Sequence, residues 1–342
     1  MNIVQALTLA AKVATRGAIP ILECAMVDSG GLTVTSGEVH IAIRVPVPGW
    51  TGAARPLHAK TLLAAVKAAG PNLAAIGPHA VTLTAGSTIA VETLEAADFP
   101  SFNAGNLPIE FTMPAVALAL MLGRTAQAES TEKTRYYLNG TYLHAGAGVL
   151  VAVATDGWRL VKAEAALPEG AAGIPGVIIP RGTTKLLRDV LGKKPEGDAR
   201  IRMSDTRIQV TIGPVTLTSK LIDGTFPEYH RVIPHDPTPR LSAQAAELRT
   251  AIKAVTAGQR IEAAVGITGA EIWCGTNRYR LMTAHTPGGE DHETRFNGRY
   301  LLDMLAPMGT HVTLAQTAPL DPAVFTDPAD PSWLVVLMPV RL

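Results

Sequence analysis

The sequence predicts an α+β protein of three similar domains, each built from helices and antiparallel strands. In six segments, apolar residues recur at the three- and four-residue spacing of an amphipathic helix. Alternating apolar and polar residues, interrupted by Gly, Pro and Asp, surround these segments and are typical of hairpin strands. The same order of segments occurs three times along the 342 residues, and so long a period indicates repeated domains rather than a solenoid of short units.

The repeat is most visible in three short stretches, TVTSGEVHI, AVATDGWRL and WCGTNRYRL. Each has a hydroxyl residue at its fourth position, then a turn-like pair, a larger side chain, a basic or imidazole residue, and Ile or Leu. The hydroxyl residues are Ser36, Thr155 and Thr276, which lie 119 and 121 residues apart. We predict domains at residues 1–110, 111–236 and 237–342. The alternative is a single domain with an accidental repeat, but that would not explain the agreement in both helices and both strand blocks.

Each predicted domain begins with an Ala- and Leu-rich helix and has a second helix after its first strands. The first helices are predicted at IVQALTLAAKVATR, PAVALALMLGRTAQA and AQAAELRTAIKAVTAGQR. The second helices are predicted at HAKTLLAAVKAAG, PRGTTKLLRDVLGKK and FNGRYLLDMLAPMG. Pro near the start and Gly near the end fit helix boundaries. Strands with a period of two follow, as in ARIRMSDTRIQVTI.

The charges are segregated although the formal net charge is only +1. The six helix segments hold 14 Lys and Arg but only 3 Asp and Glu, so the rest of the chain holds 16 of the 30 basic and 26 of the 29 acidic residues. If the helices share one surface, that surface is basic and suits a polyanion. The alternative, a solvated helix face, would normally contain more Glu. No base-reading motif occurs, so contact with phosphates alone is expected.

The composition and the termini exclude other classes of protein. No apolar run approaches the 18 or so residues of a membrane span, and the N-terminus lacks the basic region of a signal peptide. Cys24 and Cys274 are expected to be reduced thiols. We therefore expect a soluble, cytoplasmic protein without a membrane partner.

No pattern of catalytic or metal-binding residues occurs. The segment STEK from Ser130 fits a Ser-x-x-Lys pattern but lacks its partner motifs, and the nine histidines show no metal-ligand spacing with the two cysteines. We predict no catalytic residue, no metal site and no cofactor. An enzyme acting on nucleic acid, which is one alternative function, would need clustered carboxylates or histidines.

Several stretches resemble a known family. STEKTRYYLNGTYLH, VAVATDGWRL, VIIPRGTTKLL, SKLIDGTFPEYHRVIP and the terminal VLMPVRL resemble segments of the bacterial sliding clamp, the beta subunit of DNA polymerase III. In the first predicted domain, GAIPILECAMV, HAKTLLAAVKAA and EAADFPSF are similar to it as well. The resemblance covers essentially the whole chain.

The resemblance implies a DNA-clamp fold with three similar domains per chain, in which a head-to-tail homodimer forms a ring. Helices would line the inside of the ring and antiparallel sheets the outside. The implied function is that of a non-catalytic processivity factor, which encircles double-stranded DNA and slides without sequence specificity. The implied partners are DNA, a second copy of the chain, the DNA polymerase III alpha subunit, the clamp loader, and other polymerases and repair proteins that carry clamp-binding peptides.

The resemblance and the charges together select the candidate DNA-binding residues. Positions that match the family's motifs are Arg16, Thr131, Glu132, Lys133, Arg135 and Arg181, with Thr134 in the same loop. Lys12, Lys185 and Arg188 are added from charge alone. Two positions depart from the family's pattern. Glu132 places an acidic residue in the DNA loop, and Gly182 stands where a lysine is frequent.

The resemblance also implies a pocket for partner peptides near the C-terminus. Its residues, matched by motif, are Leu138, Thr155, Gly157, Trp158, Arg159, Leu160, Pro227, Arg231, Val232, Asn297, Tyr300, Met338, Pro339, Val340, Arg341 and Leu342. An apolar cleft ringed by a few donors suits an extended peptide with apolar anchors. From the residues alone, the apolar ending SWLVVLMPVRL favours a last strand that closes the third domain.

Two departures concern the pocket itself. Trp158 stands where the family commonly has histidine, and Ile261 stands where some clamps have phenylalanine. Trp158 motivates an alternative function, that of a clamp homologue encoded by a phage or mobile element and serving a restricted set of partners.

Overall fold

The structure is a computed structural model that describes residues 1–14, 18–260, 262–285 and 292–341. Six helices lie in this part of the chain, and each falls within one of the six predicted segments. They are α1 Ile3–Val13, α2 Ala59–Ala69, α3 Ala115–Thr125, α4 Arg181–Leu191, α5 Ala245–Val255 and α6 Gly298–Leu305.

The described residues also form 23 strands, all paired in antiparallel fashion. In the first third of the chain they are β1 Cys24–Asp28, β2 Gly31–Thr35, β3 Val39–Arg44, β4 Arg55–His58, β5 Leu73–Ile76, β6 Ala80–Leu83 and β7 Thr88–Ala90. Next come β8 Ile109–Pro114, β9 Gly140–Gly146, β10 Val149–Thr155, β11 Arg159–Ala166, β12 Val177–Pro180, β13 Asp198–Met203, β14 Arg207–Ile212 and β15 Val215–Lys220. The last are β16 Pro239–Gln244, β17 Ala264–Thr268, β18 Glu271–Cys274, β19 Asn277–Arg280, β20 Thr294–Asn297, β21 His311–Ala315, β22 Ala323–Asp327 and β23 Asp330–Leu337. The fold class is therefore α+β with antiparallel sheets, as predicted.

One motif accounts for nearly all of these elements: a strand, a helix, and then three antiparallel strands. It recurs six times in the described chain, beginning at α1, β4, β8, β12, β16 and β20, and only the first copy lacks its leading strand. Helix α1 begins where it does because Asn2 and Gln5 cap each other: the Asn2 Oδ1 accepts from the Gln5 backbone N at 2.9 Å, and the Asn2 backbone N donates to the Gln5 Oε1 at 2.8 Å.

The chain divides into two compact units. The first comprises Met1–Ala119, Pro168–Pro175 and Gly182–Leu221. It contains an eight-stranded sheet in the order β4-β1-β2-β3-β15-β14-β13-β8 and a three-stranded sheet in the order β5-β6-β7. Its largest fully buried side chains are aliphatic, and Leu7, Ile41 and Leu62 are among them.

The second unit comprises Leu120–Leu167, Gly176–Arg181 and Ile222–Leu342. It contains an eight-stranded sheet in the order β12-β9-β10-β11-β23-β22-β21-β16 and a four-stranded sheet in the order β19-β18-β17-β20. Trp333, Phe296 and Phe325 are its largest fully buried side chains, and the two phenylalanine rings meet edge to face with centroids 5.7 Å apart.

The register of the predicted repeat was wrong by one residue in its first copy. The Thr155 hydroxyl donates to the Arg159 carbonyl at 2.7 Å and accepts from the Gly157 backbone N at 3.1 Å. In the first copy the same two bonds are made by Thr35, to Val39 at 3.2 Å and from Gly37 at 3.1 Å. Thr35, not Ser36, is thus the counterpart of Thr155. The sequence comparison matched Ser36 with Thr155 because both are hydroxyl residues. In the structure, Ser36 instead occupies the turn position that Asp156 occupies in the second copy.

Two smaller expectations concern the cysteines and the membrane. Cys24 and Cys274 are both free and buried, and burial raises the pKa of the Cys24 thiol to about 11, so the thiolate is disfavoured. Among the helices that the structure describes, none is both long and apolar enough to cross a membrane.

Candidate functional site

Two neighbouring cavities lie in the second unit where β11 and β23 meet. The apolar cavity, of about 250 Å³, is walled mainly by Tyr137, Leu138, Leu160, Pro227, Tyr229, Val232, Val336 and Met338. Its other lining residues are Arg135, Thr155, Gly157, Trp158, Arg159 and Glu228. The tail cavity, of about 620 Å³, is lined by Trp158, Asn297, Tyr300, Met338, Pro339, Val340 and Arg341. Trp158 and Met338 border both cavities.

The turn between β10 and β11 presents Trp158 to both cavities. The Asp156 Oδ1 accepts from the backbone N of Trp158 and of Arg159, both at 3.0 Å, and Gly157 has a φ of +93°. A side chain at Gly157 would be strained in this conformation, and its Cβ would lie 2.6 Å from the Arg135 Nη1. The turn therefore needs glycine, and it leaves the indole of Trp158 60% exposed.

The C-terminal residues are held by backbone hydrogen bonds. Strand β23 lies between β11 and β22, with Leu337 opposite Arg159. Beyond the strand, the Met338 N donates to the Trp158 carbonyl at 2.9 Å, and the Val340 N donates to the Arg295 carbonyl at 2.7 Å. The two interpretations of the tail are thus compatible: its first part closes the sheet, and its last residues line a cavity.

Arg159 connects the turn to α6. Its Nε donates to the Asp156 Oδ2 at 3.0 Å and its Nη1 to the Asp303 Oδ2 at 3.0 Å. The guanidinium lies over the Tyr300 ring, 4.2 Å from the centroid. Burial and the carboxylate of Asp156 raise the pKa of Tyr300, so this ring stays neutral. Arg159 thereby fixes the position of Tyr300 in the wall of the tail cavity.

Asn297 places the start of α6 at the tail cavity. Its Oδ1 accepts from the backbone N of Arg299 at 3.0 Å and of Tyr300 at 3.2 Å, which satisfies two donors that a helix N-terminus otherwise leaves unpaired. The same side chain lines the cavity.

The structure brings most of the predicted pocket residues together. Those around the apolar cavity are Leu138, Thr155, Gly157, Trp158, Arg159, Leu160, Pro227, Val232 and Met338. Those around the tail cavity alone are Asn297, Tyr300, Pro339, Val340 and Arg341. Arg231 lines neither cavity; it is exposed, and its Nε lies 3.3 Å from the Glu228 Oε2. Leu342 and Ile261 lie outside the described residues.

Sequence reasoning missed five residues that line the apolar cavity, namely Arg135, Tyr137, Glu228, Tyr229 and Val336. Glu228 and Tyr229 stand between the predicted Pro227 and Arg231, and Val336 is two residues before Met338 on an extended strand. Spacing along the chain was therefore the available signal for three of them.

The predicted DNA-binding residues are spread over both units. Thr131, Glu132 and Lys133 are exposed in one loop, whereas Arg16 lies outside the described residues. In α4, Arg181 and Lys185 are exposed and Arg188 is half-buried. The Arg181 Nε lies 4.0 Å from the buried Glu129 carboxylate, and the Lys12 Nζ lies 2.7 Å from the Asp189 Oδ2. Lys12 and Arg181 thus have carboxylate neighbours, as does Arg135, which is paired with Glu132.

Arg135 differs from its neighbours in the loop because it lines the apolar cavity. Its guanidinium is ion-paired with Glu132, and its Nη2 donates to the Asp156 carbonyl at 3.3 Å. Hydrogen bonds from Arg135 and Thr134 lower the pKa of Glu132, so this carboxylate stays charged. Among the described residues, no group of three or more His, Cys, Asp or Glu side chains is arranged to hold a metal ion.

Comparison with known proteins gives a consistent result. Residues 112–228 match the family described as the central domain of the DNA polymerase III beta subunit. The beta sliding clamp of Caulobacter vibrioides is 33% identical to the chain, over 96% of the chain and 94% of the relative.

Solved structures agree with these matches. A crystal structure of the sliding clamp of Bartonella birtlesii bound to griselimycin superposes with a TM-score of 0.90 at 30% identity, covering 99% of this chain and 97% of that one. The sliding clamp of Caulobacter crescentus gives a TM-score of 0.83 at 30% identity, with the same coverage.

Proposed function

Because the chain belongs to the bacterial beta sliding clamp family, the non-catalytic processivity factors of DNA polymerase III, we propose that it acts as a ring-shaped homodimer around duplex DNA. The ring slides without reading sequence and tethers the replicative polymerase through the two cavities at the C-terminus. Its place of action is the cytoplasm, where bacterial DNA is replicated.

The observation that carries the ring is a rule of strand pairing within the chain. Strand β3 pairs with β15, and β11 pairs with β23. In both eight-stranded sheets, therefore, the last strand of one motif pairs with the last strand of another. The corresponding strands that remain are β7 and β19, and each is an edge strand of its sheet in the described chain. Edge strands are ready partners for further pairing. In a head-to-tail dimer, β19 of each copy would pair with β7 of the other and thereby close the ring.

The charges on the helices support contact with DNA. Among the described helices, all but α3 have exposed cations: Lys12, Lys60, Lys67, Arg181, Lys185, Lys253 and Arg299. Lys and Arg that meet only phosphates bind DNA without sequence preference and allow sliding, because every register is equivalent. The proposed contacts remain those predicted from the sequence, namely Arg16, the loop at residues 131–135, Lys12, Arg181, Lys185 and Arg188.

The two cavities support the tethering of partners. An apolar cavity of this size accepts one bulky apolar side chain, and the exposed Trp158 beside it offers further contact area. The proposed occupants are short peptides of the DNA polymerase III alpha subunit, the clamp loader, and other polymerases and repair proteins. In the Bartonella relative the bound molecule is griselimycin, which we expect to compete with these peptides here.

The test is retention of the protein on nicked circular DNA after loading with the cognate clamp loader and ATP. We expect retention at high salt on the circle and rapid loss once the circle is cut, because a ring is held by topology and not by affinity. Salt-sensitive binding that is equal on circular and linear DNA would contradict the proposed function.

A further inference from the structure

One wall of the apolar cavity is a short segment, residues 226–232, that packs against β9. Pro227, Glu228, Tyr229 and Val232 of this wall segment line the cavity. Two contacts join the segment to the sheet: the rings of Phe226 and Tyr142 stack with centroids 4.8 Å apart, and the Tyr229 hydroxyl lies 2.9 Å from the His144 Nε2. In the second contact, Tyr229 lines the cavity, whereas His144 does not.

The donor in the contact between Tyr229 and His144 follows from its surroundings. The His144 Nδ1 lies 3.2 Å from the Ala145 carbonyl oxygen, which can only accept, so Nδ1 has the proton and Nε2 is left as an acceptor. Burial lowers the pKa of His144, and burial with the charge of Glu164 raises the pKa of Tyr229 to about 12. A neutral imidazole therefore accepts from a protonated phenol.

We propose that His144 is a positioning residue for the partner-peptide pocket: by accepting the hydrogen bond of Tyr229, it holds the wall segment at the width that a partner's apolar side chain requires. The inference rests on the proposed function, because it concerns the same pocket. It is reasonable physically because an apolar cavity gains contact energy only where its walls meet the guest closely.

The proposal includes a dependence on pH. The groups that face His144 and Tyr229 are Tyr142 on β9, Lys162 and Glu164 on β11, and His230 in the wall segment, whose ring centroid is 6.4 Å from that of His144. Protonation of His144 places a hydrogen on Nε2, so Tyr229 can no longer donate to it and can only accept, and it places a cation near Lys162 and His230. Because the pKa of His144 lies below the ordinary value of 6.5, peptide affinity is constant at neutral pH and falls only in the acidic range.

The experiment is a double-mutant cycle on the full-length protein. A fluorescein-labelled synthetic peptide that copies the clamp-binding segment of the DNA polymerase III alpha subunit is titrated with wild type, H144F, Y229F and the double variant, at about pH 7.5 and over a series of lower pH values. We expect each single variant to weaken binding about fivefold at the higher pH and the double variant to be no weaker than either, since all three lack one hydrogen bond. In H144F the extra loss at low pH is abolished.

Two controls separate positioning from general destabilisation. His144→Gln keeps an oxygen that can accept from Tyr229, so it is expected to restore affinity at neutral pH without restoring the pH dependence. Thermal unfolding is measured in parallel, since a purely structural role would lower Tm and leave the Kd unchanged. If H144F does not fold, Y229F lacks only a hydroxyl and still tests the bond.

The outcomes distinguish this inference from the proposed function. If wild type binds the peptide, W158A weakens binding, and H144F and Y229F leave the Kd unchanged, only the role of His144 is wrong. Additive losses in the cycle, or a pH dependence that persists in H144F, would overturn it as well. If wild type does not bind the peptide at all, the proposed function fails and this inference fails with it.

Discussion

Trp158 is the residue on which we expect the peptide specificity of the cavities to depend most. Its backbone is fixed by Asp156 on one side and Met338 on the other, while its ring is 60% exposed between two cavities. A rigid backbone with an exposed aromatic ring is typical of binding hot spots, because little conformational entropy is lost when a partner covers the ring.

We expect Trp158→Ala to weaken binding of the alpha-subunit peptide by about 2 kcal/mol, or roughly thirtyfold, without lowering Tm. The measurement is fluorescence anisotropy of the labelled peptide. Tyr136→Ala is the matched control, because Tyr136 is an aromatic side chain of similar exposure (53%) that lines neither cavity. Equal losses in the two variants would mean that Trp158 has no special part in binding.

Asn297 illustrates how one residue serves both stability and the site. We expect Asn297→Ala to lower the free energy of unfolding by about 1 kcal/mol, because two backbone N–H groups of α6 lose their acceptor. Urea unfolding monitored by circular dichroism measures this loss. Asn297→Asp keeps the acceptor and is expected to retain wild-type stability; a loss as large as in the alanine variant would argue against the cap.

Among the helices, α4 presents the clearest basic face. Arg181, Lys185 and Arg188 lie four and three residues apart, which places them on one side of the helix. Lys193 and Lys194 follow in sequence but lie beyond the end of the helix at Leu191. The end of the helix thus divides the cations of this segment into those on α4 and the two lysines after it, a division that composition alone does not show.

We expect the double variant R181A/K185A to weaken DNA binding and to reduce the slope of log K against log salt by about two, because two phosphate contacts are lost. Fluorescence titrations of a DNA duplex at several salt concentrations measure this slope. The control variant K193A/K194A removes the same charge outside the helix and is expected to change the slope by less than one. If both variants change it equally, net charge and not the face of α4 is responsible.

For the molecule as a whole, the proposed closure of the ring depends on the two edge strands β7 and β19. The Val91 N donates to the His79 carbonyl and the Ser87 carbonyl accepts from the Leu83 N, so the odd-numbered residues of this region bond to β6. The backbone groups of Thr88 and Ala90 therefore face the free edge.

We expect Ala90→Pro to shift the protein from dimer to monomer, since proline removes one of the N–H groups available at that edge. Analytical ultracentrifugation at micromolar concentrations measures the change. Ala90→Ser keeps the N–H group and is expected to remain dimeric. A dimer of unchanged stability in the proline variant would show that β7 takes no part in the interface.

The sequence by itself determined the kinds and order of the elements. All six helices of the described residues fall where apolar residues recur at helical spacing, and the α+β class follows from the alternating strands between them, because local periodicity is a property of adjacent residues. It also selected the pocket residues that share a motif with the family, such as Trp158, Arg159 and Met338.

Only the tertiary structure decided which distant residues meet. The pairing of β11 with β23 joins residues 170 or more positions apart and thereby brings Trp158 to the tail, and no local pattern specifies such a register. The same holds for Arg135, whose charge suggested DNA but whose side chain lines the apolar cavity, and for His144, which reaches Tyr229 across 85 residues. Long-range pairing depends on the sum of many weak contacts over the whole chain, and for that reason no single stretch of sequence predicts it.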